Sequence, residues 1–166
     1  MAINKAKKQE IIAKVTEALK DSVSVVFARF AGITVADTSA MRKDLKQEGV
    51  QYYVAKKTLI KRAFAEKGYE GEMPDLPGEI AVVWSSTDAT TPARKIYEYG
   101  KKYKGNAALT IVGGVFEGAY ADAVKMTAIA TIPPLPVLRG MFVNVINSPL
   151  QGLVIALDAI AKKKAA

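Results

Sequence analysis

The side chains of this sequence that could do chemistry are cations, and they come in groups. Arg42, Lys43 and Lys46 form one group, Lys56, Lys57, Lys61 and Arg62 a second, and Lys5, Lys7 and Lys8 a third at the front. Residues 42 and 46 stand four apart, as do 57 and 61. That spacing puts two side chains on one face of a helix. Tyr52 and Tyr53 precede the second group, and Thr58 lies inside it. Residues 42–67 hold eight Lys/Arg against three acids. Residues 68–93 hold five acids and no Lys/Arg, and residues 94–104 hold five Lys/Arg against one acid. The net charge is +8. Cations gathered beside aromatic rings suit a nucleic-acid phosphate surface better than an evenly spread charge would. The plainer alternative is a set of solvated helix faces. A surface that neutralises Z phosphates loses affinity with salt at a slope of about −0.7Z to −0.9Z, which separates the two.

Other chemistry is largely removed by composition. The chain has no histidine and no cysteine. Thiolate and imidazole metal ligands, cysteine nucleophiles and histidine bases are therefore absent, and neither a zinc site nor a Ser-His-Asp triad can be built. The acids are scattered, with no pair beside a nucleophile. Gly100 and Gly105 have the spacing of a phosphate-binding loop, but Asn106-Ala107 stands where that loop needs Lys-Ser/Thr. A helix end and turn is the expected reading there. The sequence thus points to a binding protein rather than an enzyme, with no cofactor, no metal and no small-molecule substrate.

The second notable feature is a near-repeat at the end. Leu138-Arg139-Gly140-Met141-Phe142-Val143-Asn144-Val145 recurs twelve positions on as Leu150-Gln151-Gly152-Leu153-Val154-Ile155-Ala156-Leu157. Both copies read as helix, apolar on almost every side, and such a helix must be buried somewhere. Leu138, Met141, Phe142 and Val145 in one copy, and Leu150, Leu153, Val154 and Leu157 in the other, are the expected partner-binding residues. Burying one set is worth about 6–15 kcal/mol gross. Association costs about 4–15 kcal/mol, so tight binding needs near-complete enclosure of each copy. Two copies suggest two occupants. Asn144, Asn147, Ser148, Pro149, Gln151 and Asp158 interrupt the apolar run, and no membrane span is expected. Pro149 is expected to break the helix between the copies.

The elements that must hold these residues follow from periodicity. Asn4 to Lys20 has an apolar stripe of Ile3, Ile11, Ile12, Val15 and Leu19 and reads as a helix. Ser22 to Phe30 reads as a strand. Thr34 with Asp37 three residues on is a helix start, and Gly49 follows the stop at Glu48. Val50 to Val54 is a second strand, Lys56 to Lys67 a helix, and residues 68–78 a loop. Glu79 to Ser85 is a third strand, Thr91-Pro92 opens a helix to about Lys104, and Ala107 to Val115 is a fourth strand. Tyr120 to Ala130 is expected as one more helix. The expected class is α+β: a four-stranded mixed sheet covered by helices, in the manner of a ferredoxin-like sandwich, plus an extended C-terminal helix. Ile132-Pro133-Pro134-Leu135-Pro136 reads as a stiff connector. Residues 1–131 would then be one domain, 132–136 the connector and 137–166 the appended helix.

The ordered residues resemble the family of bacterial large-subunit ribosomal protein ten, the base of the ribosomal stalk. The resemblance spans the whole chain. It is carried by Val25-Val26 leading to Gly32-Ile33-Thr34-Val35, by Met41-Arg42-Lys43, and by Val54-Ala55-Lys56-Lys57-Thr58-Leu59 running into Lys61-Arg62-Ala63. Val115-Phe116-Glu117-Gly118 and the proline-linked C-terminal helix continue it. Lys57 stands where the family usually has asparagine. The resemblance implies a cytoplasmic, ribosome-bound scaffold whose N-terminal domain binds large-subunit ribosomal RNA beside the neighbouring protein eleven. It implies that the C-terminal helix carries dimers of the acidic stalk protein, two by the repeat count, which recruit translational GTPases. It also implies repression of the chain's own messenger. The alternative left open by the residues is a protein-interaction adaptor that binds no RNA and uses the same helix as a docking mast.

Overall fold

A computed structural model describes residues 5–86, 88–103 and 108–165. Ile3, Asn4 and residues 104–107, where a turn was expected, lie outside the described residues. The chain divides into two compact units, Met1–Ile132 and Pro133–Ala166. The first contains α1 (Lys5–Asp21), β1 (Ser24–Ala31), α2 (Val35–Gln47), β2 (Val50–Val54), α3 (Lys57–Lys67), β3 (Ile80–Ser85), α4 (Thr91–Lys102), β4 (Ala108–Phe116), β5 (Ala119–Asp122) and α5 (Ala123–Ala130). The second contains α6 (Leu135–Ala165).

The strands form one five-stranded sheet in the order β2-β3-β1-β4-β5. The first four carry the order of a ferredoxin-like sandwich, with β3 between β2 and β1, and β1 between β3 and β4. The α+β class and the long C-terminal helix are as expected. Two details differ. All strand pairings are antiparallel rather than mixed. There is also a fifth strand where the start of a helix was expected at Tyr120. Glu117 (φ 52°) and Gly118 (φ 83°) both take left-handed backbone, and Phe116 pairs with Ala119 across them. A two-residue turn of that kind matches strand twist and folds the chain back as a hairpin. The helix then starts three residues late, at Ala123, where the Asp122 carboxylate accepts the Ala123 N–H at 3.0 Å.

β1 lies in the middle of the sheet and is buried on both faces, which its run Ser-Val-Val-Phe-Ala encodes. Period-2 alternation sends Val26 and Ala28 to one face and Val25 and Phe27 to the other. On the first face they meet Met41 and Leu45 of α2, Ala93 and Ile96 of α4, and Met126 and Ala130 of α5. On the second they meet Val15 and Leu19 of α1 and Ile60, Ala63 and Phe64 of α3. Phe27 and Phe64 touch edge to face at 5.0 Å between ring centres. The body is therefore three layers, with α2, α4 and α5 on one side of the sheet and α1 and α3 on the other. Opposite β1, Phe27 pairs with Gly113 and Ala28 with Ile111. Val112 is the extra residue of a β-bulge, so Ile111 serves the first core and Val112 the second.

Local starts and stops are set by short-range chemistry. The Thr34 hydroxyl caps α2 by accepting the Asp37 N–H at 3.2 Å, and it donates to the Asp37 carboxylate at 2.6 Å. Gly68 ends α3 in left-handed backbone. α6 runs unbroken through Pro149, contrary to the expected interruption. Pro136, expected in the connector, lies in its first turn, where proline is tolerated. At 1.5 Å per residue its 31 residues extend about 46 Å.

Candidate nucleic-acid interface and partner-binding helix

The second and third cation groups share the α1/α3 layer. Lys8 of α1 and Arg62 of α3 line one groove of about 770 Å³, together with Lys20, Glu17 and Glu66. Lys7 and Lys61 are exposed. Lys5 opens α1, but its side chain lies outside the described residues. Lys56, Lys57 and Thr58 line another groove of about 610 Å³ with Phe30, Val54 and Ile80. Lys56 and Thr58 are exposed there. The Lys57 ammonium is otherwise engaged: it donates to the Leu76 carbonyl at 3.0 Å and is half-buried. It secures the 68–79 loop to the start of α3.

The first group sits on the other layer. Arg42, Lys43 and Lys46 are exposed on α2. What links the layers is β2, an edge strand. Tyr52 of β2 packs toward the α2 side and Tyr53 toward the α1/α3 side. The Arg42 guanidinium stands 5.3 Å from the Tyr52 ring centre. Burial pushes the Tyr52 hydroxyl up to about 12, while the charge of Arg42 pulls the other way. So the structure brings Lys8 together with Arg62, and Lys56 with Lys57 and Thr58. It does not bring Arg42, Lys43 and Lys46 into either groove.

Several candidates were missed by the sequence reading. Arg29 is exposed beside Gly78, close to the Lys56 groove. Lys20 reaches the α1/α3 groove. On α4, Lys101 lies 4.5 Å from the Tyr97 ring centre, Lys102 lies 5.9 Å from that of Tyr99, and Tyr99 and Tyr103 stack at 6.0 Å. The Tyr99 hydroxyl donates to Asp44 at 2.8 Å. Its pKa is pushed up to about 12, by burial first and then by that carboxylate. The cation count of residues 94–104 was the signal that could have found this cluster. No group of three or more potential metal-binding side chains occurs among the described residues.

On α6 every side chain from Leu135 to Lys164 is exposed. Met141 is 54%, Phe142 68% and Val145 71% accessible, and Leu138, Leu150, Leu153, Val154 and Leu157 are comparably bare. Val137, Val143, Ile146, Ile155 and Ile160, outside the chosen sets, are exposed too, so the helix is apolar all round. In a continuous helix twelve residues turn the second copy about 120° from the first. By length and composition alone Leu135–Lys164 could cross a membrane. Near the end Lys162 pairs with Asp158 at 2.7 Å.

A basic α+β sandwich and a long unburied apolar helix are the make-up of a structural scaffold protein. The family model described as ribosomal protein L10 matches residues 3–101. The large ribosomal subunit protein uL10 of Shouchella clausii is 37% identical over 157 residues, covering 95% of this chain and 93% of that one. Its counterpart in Staphylococcus haemolyticus is 34% identical over 163 residues, covering 98% and 96%. That of Macrococcus caseolyticus is 34% identical over 157 residues, covering 95% and 90%. The chain belongs to the ribosomal protein L10 family, whose members are structural proteins of the ribosome and not enzymes.

Proposed function

We propose that this chain is the base of the large-subunit stalk: a basic body that grips ribosomal RNA and a C-terminal helix that carries dimers of an acidic stalk protein. Membership of the family makes it a ribosome-bound protein of the cytoplasm. In this reading residues 1–131 are the RNA-binding domain, 132–136 the connector and 137–166 the mast. The neighbouring stalk-base protein eleven lies beside the body on the RNA. The dimers recruit translational GTPases, and the free chain represses its own messenger.

The observation that carries the reading is α6. Residues 135–164 of this mostly apolar helix are exposed on every side, a state that water disfavours by about 25 cal/mol per Å² of apolar surface. A protein partner that encloses the helix removes that cost. Acidic dimers also suit a chain of net charge +8. The exposed Lys7, Lys8, Lys56, Lys61 and Arg62 on one layer, and Arg42, Lys43 and Lys46 on the other, support phosphate binding. Lys57 and Thr58 lie between Lys56 and Lys61 in the first of these groups; Lys57 contributes through the loop that it holds.

Native mass spectrometry of the chain reconstituted with the stalk protein counts the dimers. Two per chain is expected, and three would overturn the repeat argument. Binding of the full chain to a stalk-base RNA fragment is expected to fall steeply with salt. A flat affinity between low and moderate salt would favour the adaptor without RNA. Loss of stalk binding, with RNA binding kept, is expected on truncation after Ile132. Insertion of α6 into vesicles in preference to stalk protein would overturn the mast.

A further inference from the structure

The groove between α4, β4 and α5 is unused by the reading above. It measures about 410 Å³, and its lining includes Tyr97, Gly100 and Lys101 of α4, Leu109 and Ile111 of β4, and Thr127 of α5. That volume falls within the range of about 300–1,000 Å³ usual for small-ligand sites. Gly100 allows it to form. A Cβ there would stand 2.5 Å from the Leu109 carbonyl oxygen, so only glycine lets α4 lie this close to the β4 backbone.

The floor of the groove is apolar, and Lys101 stands at its edge. Tyr97 and Lys101 are four apart on α4, and the Lys101 ammonium lies 4.5 Å from the Tyr97 ring centre. Lys102, next in the chain, lies instead toward the Tyr99 ring, outside the lining, so Lys101 is the groove's cation among the described residues. Among the described residues no carboxylate lines the groove. An aromatic face, an apolar floor and an ammonium within one nucleotide's reach are the parts from which single-stranded nucleic-acid sites are made.

We propose that this groove takes one unpaired RNA nucleotide, its base against the Tyr97 ring and the Leu109-Ile111 floor and its phosphate on Lys101. The charge of Lys101, with no carboxylate among the described lining residues to offset it, favours an anion, and the aromatic face favours a base over an acidic peptide. α4 and α5 cover the sheet face opposite α1 and α3, so the groove is a second point of RNA contact, separated from Lys8, Lys56 and Arg62 by the sheet. The proposal rests on the RNA reading of the body.

The test is an NMR titration of the full chain with a single-stranded uridine decamer, a stalk-base RNA fragment and a glutamate decapeptide. The uridine decamer is expected to shift the amides of Leu109, Ile111 and Thr127. Lys101→Met keeps the stem over Tyr97 and removes the charge. It is expected to weaken the decamer about fivefold at low salt and to lower its salt slope by about 0.7. Paired Lys56→Met and Arg62→Met substitutions are expected to weaken the RNA fragment and leave the groove shifts in place. Decamer binding with those amides unmoved and Lys101→Met silent would overturn the groove while the body reading stands. Failure of both RNAs to bind would overturn the body reading and the groove with it. Groove shifts with the peptide and not with the decamer would assign the groove to a protein partner and overturn the proposal.

Discussion

The guanidinium of Arg42, on α2, lies 5.3 Å from the centre of the Tyr52 ring on β2. This contact joins the basic helix of one layer to the edge strand that leads into the basic helix of the other. Arg42 also holds the Tyr52 pKa below the value that burial alone would give. Arg42→Ala is therefore expected to raise the pKa of Tyr52 further and to cost about 0.5–1 kcal/mol of stability. Tyrosinate absorbance against pH and thermal unfolding measure the two effects. An unmoved tyrosine titration would show that the pair does not act as described.

Tyr52 and Tyr99 are both pushed from 10.0 up to about 12. A raised tyrosine pKa means that the folded chain keeps a proton which the unfolded chain loses first. Unfolding is then favoured as pH rises from 10 towards 12, and these groups leave stability unchanged below pH 10. Denaturant midpoints measured across that window should fall with pH. Tyr52→Phe and Tyr99→Phe should each flatten the decline, and an equal slope in wild type and both variants would refute the assignment.

Gly114 of β4 faces the Val25 carbonyl oxygen of β1, and an added Cβ would collide with it and with the Met126 side chain. The obstacle on one side is backbone at the centre of the sheet, which cannot move without opening the β1–β4 ladder. Gly114→Ala is expected to cost about 3 kcal/mol, the upper end for overpacking. Chemical denaturation gives the value; a loss below about 1 kcal/mol would mean that the ladder yields more easily than the geometry implies.

Lys57 is a structural cation in this fold, because its ammonium is spent on the Leu76 carbonyl. Lys57→Met should cost about 1 kcal/mol of stability through that bond. It should weaken RNA binding less than Lys56→Met, whose side chain is exposed. Parallel melting and RNA titration of the two variants decide; a larger affinity loss at 57 would reverse their roles.

Pro149 lies inside α6 with no buried side chain to compensate. Interior proline removes one helical hydrogen bond and costs about 3 kcal/mol. Pro149→Ala should slow amide exchange on both sides of position 149. It should also raise helicity by circular dichroism. Unchanged exchange would show that the surrounding helix is already at full strength.

Much of this protein can be read from the chain because the causes are local. The Thr34–Asp37 cap and the helix stop at Gly68 depend on residues within a few positions of one another. So does the all-round apolarity of α6. The cation groups are visible for the same reason. The hairpin at Glu117-Gly118 was harder, because a glutamate in left-handed backbone has no strong signal of its own and is held there by the pairing of Phe116 with Ala119.

Tertiary structure decided what depends on pairing over distance. Ser24 of β1 pairs with Ser85 of β3 and with Phe116 of β4, and these contacts set the strand order and its antiparallel sense. That order puts α2 on one side of the sheet and α1 and α3 on the other, so the basic groups divide between two layers. It also brings α4 and α5 together over β4, creating a groove whose lining spans Ile96 to Thr127. Charge spacing along a helix is written in the sequence. Which face of the sheet receives that helix is not, because it follows from hydrogen bonds and side-chain burial between segments fifty or more residues apart.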